Sequence, residues 1–305
     1  MKIICTTVIR AAKQGDVHGG LHVIDMDSEE VIHHFPYAED FVNDNERGGE
    51  RGLRGIAVLE DRIILADSSG LIELDKETYQ IVKRFKDDKI FKSIHEICYF
   101  DNHIWVTSTA YDAIARVDLD FNLTGFWEVI GESRSDYKAL LSLKEINPGE
   151  APEEDNFHIN SISANNNRLV FGGLITHLYD FSEMEVVVPM PMVENLKSFQ
   201  HNFYEYPDLA VANLTTFGHL ALIDNTDFVR NQAVILPKAK NVIYHADDIA
   251  KANWNRGLAR SNEFLFIGSS PARIMMFNLK TNTIEKNIQL EKDVRCCIHG
   301  LEILE

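Results

Sequence analysis

Short apolar runs separated by polar turns fill almost the whole chain, and the pattern itself repeats. Each copy begins with a polar residue and a short apolar strand. A tight polar turn and a second apolar strand follow, then a loop, and the third strand ends in Asp or Asn. The clearest copies start at Arg54 (RGIAVLEDRIILADSSGLIELD) and His95 (HEICYFDNHIWVTSTAYDAIARVDLD). Others start at Asn160, His201 and Arg256. Between the first two strands stand Glu60-Asp61, Asp101-Asn102, Asn165-Asn166-Asn167, Pro207-Asp208 and Ser261-Asn262, all turn formers. Period-two alternation with turns at this spacing predicts four-stranded antiparallel meanders.

The sixth copy is divided between the two ends of the chain. His299-Gly300-Leu301-Glu302-Ile303-Leu304 matches a first strand, and its partners are KIICTTVIR, GGLHVIDMD and EEVIHHFPY at the other end. Arg54 and His95 stand 41 positions apart, as do Asn160 and His201, while Arg256 and His299 stand 43 apart. That period is typical of propeller blades. The expectation is an all-β, six-bladed propeller as one domain over residues 1–305, its last blade closed by N- and C-terminal strands so that no sheet edge is left open. Longer intervals coincide with insertions, notably the acidic, Pro-containing stretch 132–156. Only DYKALLSLKEI and HADDIAKAN read as short helices.

First strands line the central channel of a propeller. The six equivalent positions are Arg54, His95, Asn160, His201, Arg256 and His299, all polar. Strict alternation turns Ile56, Ile97, Ile162, Phe203, Leu258 and Leu301 the same way. It turns Gly55, Glu96, Ser161, Asn202, Gly257 and Gly300 to the opposite side, where small size allows blades to pack. A polar ring can simply hold ordered water. Its chemistry supports a sharper expectation. His95, His201 and His299 come from alternate blades, so three imidazoles would converge as ligands of one divalent metal ion and as the catalytic residues. Arg54 and Arg256 would bind a carboxylate or phosphate, and Asn160, with His158 at the channel mouth, would help to hold the substrate. Weaker candidates are Arg51, read as a solvated or loop residue, and the turns Asp67-Ser68-Ser69, Ser108-Thr109, Asn213-Leu214-Thr215 and Ser269-Ser270. A cluster at His245-Ala246-Asp247-Asp248 is also weak.

Charge narrows the choice of partner. Lys and Arg number 30 against 47 Asp and Glu, a net charge of −17. No basic run supports a grip on nucleic acid or an anionic membrane surface. No apolar stretch approaches membrane-spanning length. The run Ile3–Ile9 is short, β-branched and ends at Arg10, so it reads as a strand rather than a secretory leader. The cysteines Cys5, Cys98, Cys296 and Cys297 suit neither a disulfide framework nor a CxxC zinc site, and a reducing cytoplasm is the expected compartment. There is no GxSxG elbow, P-loop, HExxH or dinucleotide fingerprint.

The segments RGLRGIA, HEICYFDNHIWVTSTAYDAI, HINSISANNNRLV and NRGLARSNEFLFIGSSPARIMMFNLKT, with VRCCIHGLEIL, resemble a bacterial family of conserved hypothetical proteins of uncharacterised function. That resemblance implies a six-bladed propeller and carries no activity with it. More distantly the architecture is similar to gluconolactonase, strictosidine synthase and virginiamycin B lyase-like propellers. The lactonase type holds its metal with carboxylate and Asn ligands, whereas this ring offers His and Arg. The streptogramin-lyase type, with His near a metal, is nearer in chemistry. Three functions remain open on the sequence: a metal-assisted lyase, isomerase or hydrolase acting on a sugar- or acid-like anion, a ligand-binding sensor without turnover, and an interaction scaffold using 132–156.

Overall fold

The computed structural model describes residues 1–39, 51–131, 141–165, 167–174, 177–189, 200–224, 232–245 and 250–304. Six antiparallel sheets follow one another around a ring. Blade I comprises Ile56–Val58, Arg62–Ala66, Gly70–Asp75 and Ile81–Lys86. Blade II runs from Ile94–Phe100 through His103–Ser108 and Ala113–Val117 to Leu123–Ile130. Blade III spans Ser161–Asn165 to Val186–Pro189, blade IV Gln200–Glu205 to Gln232–Ile235, and blade V Asn255–Ser261 to Thr283–Gln289. In blade VI, Cys296–Ile303 pairs with Lys2–Ile9, which continues into Gly19–Asp25 and Glu30–Tyr37. The expected closure by the two ends of the chain is therefore present. At Asp101 and Asn102 both φ angles are positive, 50° and 58°, as a two-residue hairpin turn of the primed type requires.

Six apolar clusters lie between adjacent blades, and this is where strict alternation fails. Ile97, Leu301, Ile56, Ile162, Phe203 and Leu258, expected to face the channel, each belong to a different cluster and are buried between sheets. The cause is a bulge at the ring position. Pairing shifts between Ile94 and Ile97 in blade II, between His201 and Phe203 in blade IV, and between Asn255 and Leu258 in blade V. In blade VI it shifts opposite His299 and Gly300. One extra residue reverses the faces of everything beyond it. Gly257 and Asn202 occupy bulges at φ 76° and 52°, a region open to Gly and tolerated by Asn.

The residue after a ring position consequently has one of three fates, Ser161 accepting from the Phe203 amide of blade IV at 3.0 Å. At Gly55, Gly257 and Gly300 neighbouring first strands come so close that a Cβ on Gly55 would meet the Ile97 amide nitrogen at 2.6 Å. Here the expectation of small size for blade packing holds. Glu96 and Asn202 instead point inward, and their side chains hydrogen-bond to each other across the axis.

Two further expectations are corrected. Within DYKALLSLKEI, Ser142–Glu145 forms a fifth strand on blade II, paired with Leu123–Ile130. Its start, and residues 246–249 of HADDIAKAN, lie outside the described residues, and 250–253 are not helical. The helical pieces among the described residues are the single 3-10 turns Thr109–Tyr111 and Thr215–Phe217. All four cysteines are unpaired, and no described helix is long and apolar enough to cross a membrane.

Candidate functional site

The histidines come together at one end of the axis. The ring of His95 lies 4.9 Å from that of His158, 5.5 Å from His299 and 5.9 Å from His201, centroid to centroid. His158 and His201 are 6.4 Å apart. Arg54 and Asn160 are buried and Arg256 is partly buried, and the charges of Arg54 and Arg256 act on these rings. Arg54 donates from Nη1 to the Ile94 carbonyl at 2.7 Å, which anchors blade I to blade II. Arg51, expected in a loop, is only 2% exposed.

The group with metal-ligand geometry differs from the expected one. One ring nitrogen each from His95, His158 and His201 lies within 4.8 Å of the others. His299, although close to His95, is not in that group. His158 replaces it, reaching in from the loop that precedes the first strand of blade III. With His95 and His201 buried and His158 half-buried, this set could hold a metal ion.

Hydrogen bonds behind the rings fix which nitrogen is available. His95 Nδ1 sits 2.9 Å from the Ser93 carbonyl, which can only accept, so Nδ1 carries the proton. The Thr109 hydroxyl, also 3.0 Å from that nitrogen, gives its own proton to the Ile159 carbonyl at 2.6 Å. In blade IV, Thr215 Oγ1 donates to the Asn255 carbonyl at 2.8 Å and so accepts from His201 Nδ1 at 3.0 Å. His158 Nδ1 donates to the Asp155 carboxylate at 2.9 Å. His95 and His201 therefore keep a bare Nε2, and that of His201 is buried with no protein partner. Acceptors placed behind ligand imidazoles in this way set the tautomer and raise donor strength. Burial first, and then nearby cations and imidazoles, hold His95 and His201 well below the ordinary histidine range, so both are neutral at pH 7.

Asp112 builds the loop that carries His158. Its carboxylate accepts from the backbone amides of Phe157 at 2.8 Å and Asn156, and burial pushes its carboxyl up to about 6. His158 itself adopts φ 50°, and Gly173 packs so tightly that a Cβ there would meet the Phe157 and His158 carbonyls at 2.6 Å. Asp112 did not stand out in the sequence. Thr109 and Thr215 did carry a signal, since each follows its ring histidine by 14 residues, and Ser68 and Ser270 follow Arg54 and Arg256 at the same offset.

Below the histidines lies a second polar layer. Asn202 of blade IV bonds to Glu96 of blade II, and Tyr204 donates to Glu302 of blade VI at 3.0 Å. Asn202 Oδ1 also accepts from the Gly257 amide at 2.7 Å. Burial raises both carboxyls, Glu302 to about 7, and Glu96 is raised further by the Glu302 charge. Of the weaker candidates, His245 pairs with Asp293 at 2.9 Å, and Asp247 and Asp248 lie outside the described residues.

The fold and this axial site define the class: a six-bladed propeller with a histidine- and arginine-lined mouth. No protein-family model matches the chain, and no curated protein sequence does. Solved structures do. A protein of unknown function from Bacteroides caccae aligns over 99% of this chain and 98% of its own, at 10% identity and TM-score 0.57. A chain of a nidogen/laminin complex aligns over 100% and 99%, at 7% identity and TM-score 0.62. A streptogramin B lyase structure aligns over 78% of this chain and 68% of its own, at 12% identity and TM-score 0.49. At such identities the first two likenesses establish the fold alone.

Proposed function

We propose that the protein is an enzyme that holds a divalent metal ion at His95, His158 and His201 and acts on an anionic small molecule bound at the mouth by Arg54, Arg256 and Asn160. The observation that carries this reading is the convergence of three imidazoles, each with its Nδ1 tied to an oxygen behind the ring. Imidazole donors favour zinc, iron, nickel or copper over magnesium or calcium. A metal ion there would polarise a carbonyl or carboxylate oxygen, as lyase, isomerase or hydrolase chemistry on a carboxylic or sugar acid needs. The arginines fix the substrate's charge, and Asn160 orients its polar end. His299 stands beside the bound molecule rather than on the metal.

Purified protein dialysed against Zn2+ is expected to retain about one ion per chain, and Co2+ should give a visible d–d band. His158→Ala and His201→Ala should each lose both signals while the melting temperature changes little. Wild-type protein that takes up neither ion, or a His158→Ala variant that binds as wild type does, overturns the reading.

A further inference from the structure

The mouth has a second half that the three histidines do not use. Arg256 projects from blade V, Arg10 follows the strand Lys2–Ile9 of blade VI, and His299 lies on the strand paired with it. Arg256 Nε is buried without a hydrogen-bond partner, and both ring nitrogens of His299 are unpartnered at 4% residue exposure. Arg10 lies over the Trp254 ring, 4.9 Å from its centroid. Among the described residues no carboxylate pairs with Arg256 or Arg10. Burial first, and then the charges of Arg10 and Arg54, bring the Arg256 guanidinium down to about 9. A charge withdrawn from water beside others of the same sign is costly unless an anion joins it.

We propose that Arg256, flanked by Arg10 and His299, is an anion subsite distinct from the three-histidine position, and that the ligand of the mouth is a small molecule with two anionic ends. One end, a carboxylate, meets the histidine position. The other, a second carboxylate or a phosphoryl group, lies on Arg256. The first half of this assignment rests on the metal reading above, and the second half does not.

Calorimetry separates the two. With Zn2+-loaded wild-type protein, at least one of malonate, succinate and glutarate should bind tenfold or more tighter than butyrate, a single-ended analogue of succinate. Substituting 3-phosphonopropionate for succinate shows which second group is preferred. Arg256→Gln should erase the dianion preference with zinc content unchanged, and Arg10→Gln should reduce it several-fold. In EDTA-treated wild-type protein, inorganic phosphate or butyrate should still bind, and Arg256→Gln should abolish that binding. If elemental analysis finds no metal but Arg256-dependent anion binding persists, the metal reading falls and the subsite stands. Dianions that bind wild type no better than butyrate, or an Arg256→Gln variant that binds every anion as wild type does, overturn the two-ended ligand. Loss of the near-UV circular dichroism spectrum in Arg256→Gln would transfer the test to Arg10→Gln, where an unchanged preference likewise overturns it.

Discussion

Asn202 and Glu96 stand on blades that are not neighbours, yet their side chains are hydrogen-bonded across the propeller axis. Asn202 can reach because a bulge turns it inward at φ 52°, and its other amide atom is tied to the Gly257 amide. One residue thus links blades II, IV and V.

Asn202→Gly keeps the backbone conformation available and removes only the side chain. It leaves the buried Glu96 and the Gly257 amide without their partner, at a cost of about 1–3 kcal/mol for each unsatisfied group. A thermal melt should fall by several degrees. An unchanged melt would mean that the link across the axis carries no stability.

Stability should also depend on pH through Glu302. Burial raises its carboxyl from 4.5 to about 7, so the folded state keeps a proton that the unfolded chain has already released. The contribution is complete below pH 4.5 and is lost as pH rises through 7. Glu302→Gln stays neutral throughout. The melting temperature of the variant relative to wild type should therefore climb between pH 5.5 and pH 8. The buried histidines act with the opposite sign, because the unfolded chain takes up protons below about pH 6.5, but they are common to both proteins and cancel. A difference that stays flat across this range would rule out a raised Glu302.

Thr215 is expected to act on the metal position without touching it. Thr215→Val keeps the shape of the side chain but withdraws the acceptor that fixes the His201 tautomer. Zinc or cobalt affinity should drop roughly tenfold to a hundredfold. Equal affinity in wild type and variant would show that His201 needs no such support.

Closure of blade VI is tested by deleting Ile298 to Glu305. The strand Lys2–Ile9 then loses its partner, and Ile298 and Leu301 leave the cluster they share with Ile3, Cys5 and Ile274. An open sheet edge invites association, so the truncated protein should aggregate or melt far lower. A truncated form that melts like the full chain would contradict the closure.

The propeller was legible because each blade repeats one hydrophobic pattern and the divided sixth copy completes the count. The meeting of His95 with His201 and His299 was legible for the same reason, since repetition assigns equivalent places. The bulges were not. An extra residue leaves no mark on periodicity until side-chain faces are known, so Glu96 and Asn202 were read as facing away from the channel. His158 escaped the ligand set because it lies outside the repeat, in a loop shaped by amide bonds to Asp112 from another blade. Ser142–Glu145 is an edge strand with largely exposed side chains, so it lacks the buried alternation that marks a strand.

The bridges from Asn202 to Glu96 and from Tyr204 to Glu302 run across the channel beneath the histidines. They join side chains of blades II, IV and VI into a floor. Both links skip a blade, so they brace the ring from within.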